Sequence, residues 1–332
     1  MAILKHLAEM QNATGKNRLV IVLDGMGTAI MEKLLDSNGF LRRNMIAAET
    51  ALIPATTVAA TTAYRTGKMP YETGFVGWAQ YYAETDEVIE VFLNTNLYTG
   101  EKSKMPHHTN TSPCPTVVED MRANGRIAFE VMPAFAPDGF DTFDAWLNRI
   151  VELCNIHTDA YIYAYWPEPD STLHEFGAGD AARTLLCDIE RRLESALQQI
   201  RQPTDVLITA DHGHTEIETL FIDDYPELTE CLLHPLSLES RCVSMFVKPE
   251  YLQRFPELFN MHFGKWFKLV TKAEFEVEYL RANQPVRFIG DFVAMAIDKY
   301  ELKQRPDTLK LKSHHAGITP AELEIPIIKI SI

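Results

Sequence analysis

The 332-residue chain is 46% hydrophobic and carries 46 acidic against 31 basic residues, a formal charge of -15 at pH 7. That apolar content suffices for a large buried core and excludes disorder, while the acidic balance excludes extended nucleic acid, which needs clustered cations to displace counterions. Small phosphorylated substrates stay compatible, because bound divalent cations reverse the local potential whatever the net charge.

The opening MAILKHLAEMQNATGKNRLVIVLDG lacks the cationic start, apolar run and small-residue cleavage site of a signal peptide. No stretch reaches the roughly 18 apolar residues of a membrane span, so no membrane partner is expected. RLVIVLDG (18–25) is an apolar β-branched run stopped by an acid and a glycine, which reads as a strand buried on both faces with Asp24 at its carboxyl end. Further along, PATTVAATTAYRTGKMP (54–70) is rich in threonine, and GEKSKMPHHTNTSPCP (100–115) is a polar loop with turn-forming residues, expected to be the most mobile segment. RIAFEVM (126–132), AYIYAYW (160–166) and DVLITADHG (205–213) repeat the strand pattern, and TVVEDMRANG and AARTLLCDIERRLESALQQI beside them read as helices. Alternation of this kind predicts an α/β fold of three layers, α/β/α, with a mostly parallel central sheet. Residues 1–332 are expected to form one catalytic domain, with 217–305, where the alternation breaks, as a small α+β insertion. The tail HHAGITPAELEIPIIKISI restores a polar loop and a final strand. Five cysteines, Cys114, Cys154, Cys187, Cys231 and Cys242, are odd in number and lack a C-x-x-C spacing, which fits a reducing cytoplasm.

Acids and histidines gather where strands are predicted to end, the edge at which sites form in parallel sheets. Asp24 ends the first strand, EPDSTLH supplies Asp170 and His174, ADHG supplies Asp211 and His212, and SHHAG supplies His314 and His315. Each has a structural alternative: Asp24 as a turn former before Gly25, Asp170 with His174 as a helix-start pair, Asp211 with His212 as a satisfied loop. Carboxylates mixed with imidazoles suit zinc, manganese or iron, and the absence of cysteine argues against a structural thiolate site.

In their order, VLDGMG, PATTVAATTAYRTGKMPYETGFVGW, EPDSTLH, TADHGH and HHAGITPAELEIPII resemble the alkaline phosphatase superfamily, and within it the type I phosphodiesterase/nucleotide pyrophosphatase family. The resemblance implies an alkaline-phosphatase-like fold and two divalent metal ions, Zn2+ first and Mn2+ as an alternative. One ion would take Asp170, His174 and His315, the other Asp24, Asp211, His212 and the oxygen of Thr57. Thr57 falls three residues after Pro54 and nine before Thr66, the place of the family's nucleophile. The implied chemistry is a two-metal phosphoric-ester hydrolase working through a phospho-threonine intermediate on a phosphodiester or nucleotide-like compound. A phosphomonoesterase or phosphonate hydrolase with the same site, or a protein that binds metal and a phosphorylated ligand without turnover, are the alternatives. No Cys/Ser-x-Pro-x-Arg stretch supports a sulfatase.

The chain departs from the family in the loop after the nucleophile. Where nucleotide-cleaving members carry an asparagine that donates to a phosphoryl oxygen, TGFVGWAQYY has Trp78, whose indole N–H is a candidate substrate contact. Tyr81 and Tyr82 read either as pocket lining or as core. His315 rather than His314 matches the family's ligand because it precedes the Ala-Gly pair. His214 is a candidate for orienting a ligand, His107 and His108 fall in the polar loop, and Arg65 and Lys68 read as solvated positions at a helix end.

Overall fold

The computed structural model describes residues 2–104, 114–305 and 310–332. His107 and His108 lie outside the described residues.

Six strands build the central sheet in the spatial order Met45–Thr50, Glu324–Ser331, Thr204–Thr209, Asn17–Leu23, Tyr161–Trp166, Ala128–Val131. Asn17–Leu23 pairs in parallel with Tyr161–Trp166 and with Thr204–Thr209, and Tyr161–Trp166 pairs in parallel with Ala128–Val131. Glu324–Ser331 runs antiparallel to both of its neighbours, so the sheet is mostly parallel, as the alternating pattern predicts. Every residue of Asn17–Leu23 is buried, which requires cover on both faces and explains why its sequence is uninterrupted apolar rather than alternating. The long helix Asp180–Leu197 buries Ala182, Leu186, Ile189, Leu193, Ala196 and Leu197, a stripe at helical spacing with its charges on the outer side. Phe143–Ile156 starts where the Thr142 hydroxyl accepts from the Ala145 N–H at 3.2 Å, and its buried Trp146 donates to the Val131 carbonyl at 2.9 Å.

The sheet register decides where the chemistry falls. Leu23 lies opposite Trp166 and Val22 opposite Thr209, so Asp24, the segment leading to Asp170, and Asp211 all leave the sheet at one edge.

A second, antiparallel sheet has seven strands in the order Phe267–Thr271, Phe292–Ala296, Cys242–Met245, Ser237–Leu238, Ala79–Tyr82, Glu87–Glu90, Thr95–Asn96. Three of these strands come from residues 79–96, directly after the threonine-rich segment, and the others from residues 237–296. This half has its own apolar clusters, one centred on Phe255, Phe259, Phe263 and Phe267 and another on Leu238, Val270, Phe275 and Val293. The two halves are tied by a fully buried ion pair. Arg241 meets Glu322 through Nε at 2.6 Å and Nη2 at 2.7 Å, and donates to the carbonyls of Tyr300 and Asp298.

Candidate active site

The threonine-rich segment turns from an extended Thr56 (φ -139, ψ 147) into the helix Thr57–Thr66, which ends at Gly67 in the left-handed conformation (φ 68). Thr57 is therefore the first helical residue. The Thr57, Val58 and Ala59 N–H groups precede the first intrahelical bond, from the Ala60 N–H to the Thr56 carbonyl at 3.0 Å, and so have no intrahelical carbonyl. Ala59, Ala60 and Ala63 are fully buried, their small size letting the helix lie close to the sheet.

Around Thr57 the structure brings together Asp24, Asp170, His174, Asp211, His212, His214 and His315. Three overlapping sets have their donor atoms within 4.8 Å of one another: Asp24, Asp211 and His212; Asp170, His212, His214 and His315; His174, His314 and His315. The Thr57 hydroxyl lies 3.1 Å from His212 Nε2 and 3.4 Å from Asp24 Oδ2. His212 Nε2 is 3.3 Å from Asp24 Oδ1, and Asp170 Oδ1 is 3.3 Å from His174 Nε2 and 3.8 Å from His315 Nε2. The His212 and His315 rings stack at 3.7 Å, so the two groups of residues share a wall.

The backbone sets which ring nitrogen is bare. His174 Nδ1 bonds the Ser313 carbonyl, His212 Nδ1 the Gly213 carbonyl and His315 Nδ1 the Ala55 carbonyl, at 2.9, 3.1 and 3.0 Å. A carbonyl only accepts, so each Nδ1 carries a proton and Nε2 is the nitrogen whose lone pair each ring has to offer a cation when neutral. His314 is the reverse. Its Nδ1 accepts the His315 N–H at 2.8 Å, which leaves the proton on Nε2 and makes it a donor in the cavity wall rather than a ligand. His214 is buried, with Nε2 at 2.7 Å from Asp170 Oδ1 and Nδ1 at 3.0 Å from the Ser313 hydroxyl.

A divalent cation fits the acids. Asp24 Oδ1 and Asp211 Oδ2 are buried without a hydrogen-bond partner, although Asp24 Oδ2 accepts from the Tyr165 hydroxyl and Asp211 Oδ1 from the Gly25 and His212 N–H groups. Burial, with Asp211 and Asp170 nearby, raises the Asp24 carboxyl well above its ordinary range, and burial raises Asp211 as well. Asp170 goes the other way: burial opposes its ionisation, but His174 and His214 hold it well below the usual range. Orphaned, crowded carboxylate oxygens facing bare imidazole nitrogens are the donor set that hard and borderline cations take. Gly25, at φ +71, is required by both conformation and space, since a Cβ there would lie 3.0 Å from Asp170 Cα and from His214 Cδ2.

A cavity of about 640 Å³ opens from Thr57, Asp170, His174 and His315. Its far wall comes from the second half, with Leu236, Val243 and Leu302 beside Lys303, while Leu238 and Glu239 reach from the same half to the nucleophile turn, where the Thr56 hydroxyl donates to Glu239 at 2.6 Å. Trp78 lines it too, but its indole N–H donates to Glu90 at 3.0 Å, so the substrate contact expected of that N–H is already a contact within the protein. Tyr81 is core, stacked on His234 at 4.1 Å, and neither it nor Tyr82 is among the cavity-lining residues. Arg65 is held by both oxygens of Glu130, at 3.0 and 2.8 Å, and Lys68 is exposed away from the cavity. Two contributors were not read from sequence: Tyr165, hidden inside an apolar strand run, and Glu239, in a stretch with no motif at all.

The fold and site define an alkaline-phosphatase-like α/β protein. A family model for type I phosphodiesterase / nucleotide pyrophosphatase matches residues 18–316, and the chain belongs to that family of metal-dependent phosphoric-ester hydrolases. Comparison with curated protein sequences gave no significant match. Among solved structures, human ectonucleotide pyrophosphatase / phosphodiesterase 5 superposes with a TM-score of 0.71 at 14% identity, covering 94% of this chain and 87% of that one. The murine protein, as an inactive variant in complex with AMP, gives 0.70 at 16% identity over 94% and 87%. Phosphonoacetate hydrolase from Sinorhizobium meliloti 1021 in complex with phosphonoacetate gives 0.69 at 15% identity over 95% and 90%.

Proposed function

We propose that the protein is a two-metal phosphodiesterase or nucleotide pyrophosphatase that works through a phospho-threonine at Thr57. The observation that carries this is the placement of the Thr57 hydroxyl at a helix start, 3.1 Å from His212 Nε2 and 3.4 Å from Asp24 Oδ2, beside the orphaned oxygens of Asp24 and Asp211. Asp24, Asp211, His212 and Thr57 would hold one ion, and Asp170, His174 and His315 the other. Bound there, divalent cations supply stabilisation of the threonine alkoxide and of charge on the phosphoryl oxygens. Zinc is favoured, with manganese as the alternative, because the donors of Asp24, Asp170, Asp211, His174, His212 and His315 mix carboxylate oxygens with imidazole nitrogens.

Thr57 Oγ attacks phosphorus, the bond to the leaving oxygen breaks, and the phosphoryl group stays on Thr57 until water attacks and regenerates the hydroxyl. The free N–H groups of the Thr57–Thr66 helix bind a phosphoryl oxygen, and Tyr165 and His214 hold Asp24 and Asp170 in place. The leucine-rich far wall favours a substrate whose phosphoryl group bears an organic substituent. A phosphonate substrate is the second reading, supported by the similarity to phosphonoacetate hydrolase. The test is hydrolysis of bis-p-nitrophenyl phosphate and of p-nitrophenyl phosphate, with zinc or manganese, by the wild type, Thr57→Ala and Thr56→Ala. Turnover of the diester that Thr57→Ala abolishes is expected; a fully active Thr57→Ala would overturn the assignment.

The free cysteines Cys154, Cys231 and Cys242, all buried, support a reducing compartment, and we place the protein in the cytoplasm. Recovery in an exported fraction on cell fractionation would contradict that placement.

A further inference from the structure

Thr56 immediately precedes the helix that begins with Thr57, at φ -139 and ψ 147, the extended conformation from which a threonine hydroxyl ordinarily turns back to accept the second or third N–H of its helix. Thr116 and Thr142 do this, each accepting an N–H at 3.2 Å, and Thr271 does so at 3.3 Å while also donating to Glu274 of its own first turn. Thr56 does not. Its hydroxyl donates at 2.6 Å to Oε1 of Glu239, a buried residue from the second half of the molecule, and no side chain caps the helix. We propose that Glu239 is a positioning residue that holds the Thr56 hydroxyl away from the helix start, so that the Val58 and Ala59 N–H groups stay open to a phosphoryl oxygen; this rests on the reading of the Thr57–Thr66 helix given above.

A capping hydroxyl and a phosphoryl oxygen compete for the same donors, because both are acceptors for the first N–H groups of a helix. Glu239 decides that competition by giving the hydroxyl a partner elsewhere, and a hydrogen bond to an ionised carboxyl is roughly twice as strong as one between neutral groups. The same Oε1 accepts the Trp78 N–H at 2.7 Å, so one oxygen fixes both the nucleophile turn and the loop that follows it. Burial raises the Glu239 carboxyl to about 7, while the bonds from Thr56 and Trp78 lower it. Oε1 accepts in either form, and the hold on Thr56 does not depend on the proton.

The turn that presents Glu239 is anchored on both sides. Leu238, just before it, is held at φ +82, left-handed backbone that persists only where its surroundings impose it. The Glu239 N–H closes on the Cys242 carbonyl at 3.2 Å, the Ser240 hydroxyl donates to the buried Glu301 at 2.8 Å, and Arg241 is locked to Glu322.

The experiment measures binding of inorganic phosphate to zinc-loaded protein by titration calorimetry, beside kcat and KM on bis-p-nitrophenyl phosphate and metal content, for the wild type, Glu239→Gln, Glu239→Met, Thr56→Val and the double variant Glu239→Met/Thr56→Val. Methionine releases the Thr56 hydroxyl to the helix, whereas valine keeps the shape of threonine and cannot cap. We expect Glu239→Met, at full metal content, to lose about 3–30-fold in phosphate affinity and in kcat/KM, the strength of an N-cap. The double variant should recover most of that loss, and Glu239→Gln, which keeps an acceptor for Thr56, should stay closer to the wild type than Glu239→Met. Recovery is the distinguishing sign, since a glutamate that touched the substrate itself would not be replaced by a second deletion at Thr56. A double variant no better than Glu239→Met, or a Glu239→Met that binds phosphate as the wild type does, would overturn the proposal. Should Glu239→Met fail to fold, Thr56→Val decides alone: it is expected to bind phosphate as tightly as the wild type, and a loss of the size given for Glu239→Met would count against the proposal. Turnover that survives in Thr57→Ala would sink only the nucleophile reading, because phosphate affinity still reports on the helix start.

Discussion

Asp24 and Asp211 are two buried acids whose pKa values are both raised. For an acid raised on folding, the stabilising effect is complete below its unfolded value of 3.8 and is lost as pH rises through the folded value. His214, His314 and His315, whose values are lowered by burial, act the other way, but in metal-stripped protein these two acids are expected to add a downward slope to the melting temperature as pH is raised from about 4. Asp24→Asn should flatten that slope; equal slopes in a thermal scan of the two apo proteins would count against the pairing. With metal the sign reverses, because the ligands must ionise to bind. Tyr165→Phe removes the hydroxyl that donates to Asp24 and is expected to weaken metal binding about 10–100-fold in competition with a chelator. Unaltered affinity would reduce Tyr165 to packing. At this scale the sequence was legible wherever a reactive residue ended a strand, as Asp24 and Asp211 do. Glu239 was not, since its partners Thr56 and Trp78 are 183 and 161 positions away and only the fold brings them together.

Between elements, the Arg241–Glu322 pair holds the turn that carries His315. Glu322 accepts from the Gly317 N–H at 2.7 Å and from the Thr319 hydroxyl at 2.6 Å, and Ala316, between His315 and Gly317, sits at φ +85. Arg241→Met leaves a buried carboxylate uncompensated and is expected to cost about 3–5 kcal/mol in chemical denaturation. The double variant Arg241→Met/Glu322→Leu should recover part of that loss, and strict additivity would show that the two side chains do not act as a pair. The central strands and the long helices were readable because their apolar runs and 3.6-residue stripes are strong local signals. Ala79–Tyr82 and Glu87–Glu90 were not, being four residues each, the first paired with a strand near residue 238 and the second with the first.

Across the whole molecule, the cavity lies where the two halves meet, lined by the proposed metal ligands from one and by Leu302 and Lys303 from the other. Ions held by those ligands stabilise only the folded chain. Free metal at 100 times its dissociation constant contributes about 2.7 kcal/mol per site, so removal by chelator should lower the melting temperature by several degrees, and an unchanged temperature would argue against a resident ion.

The strand Glu324–Ser331 lies inside the central sheet, between Met45–Thr50 and Thr204–Thr209. Its neighbours, Met45–Thr50 and Thr204–Thr209, are made far apart in the chain and well before it. A nascent chain that has emerged only as far as residue 320 therefore exposes two unmatched edges, each able to template aggregation. Completion of this sheet waits for translation of residues 324–331, and a ribosome-arrested intermediate that stops short of them should be a better client for chaperones than the folded protein.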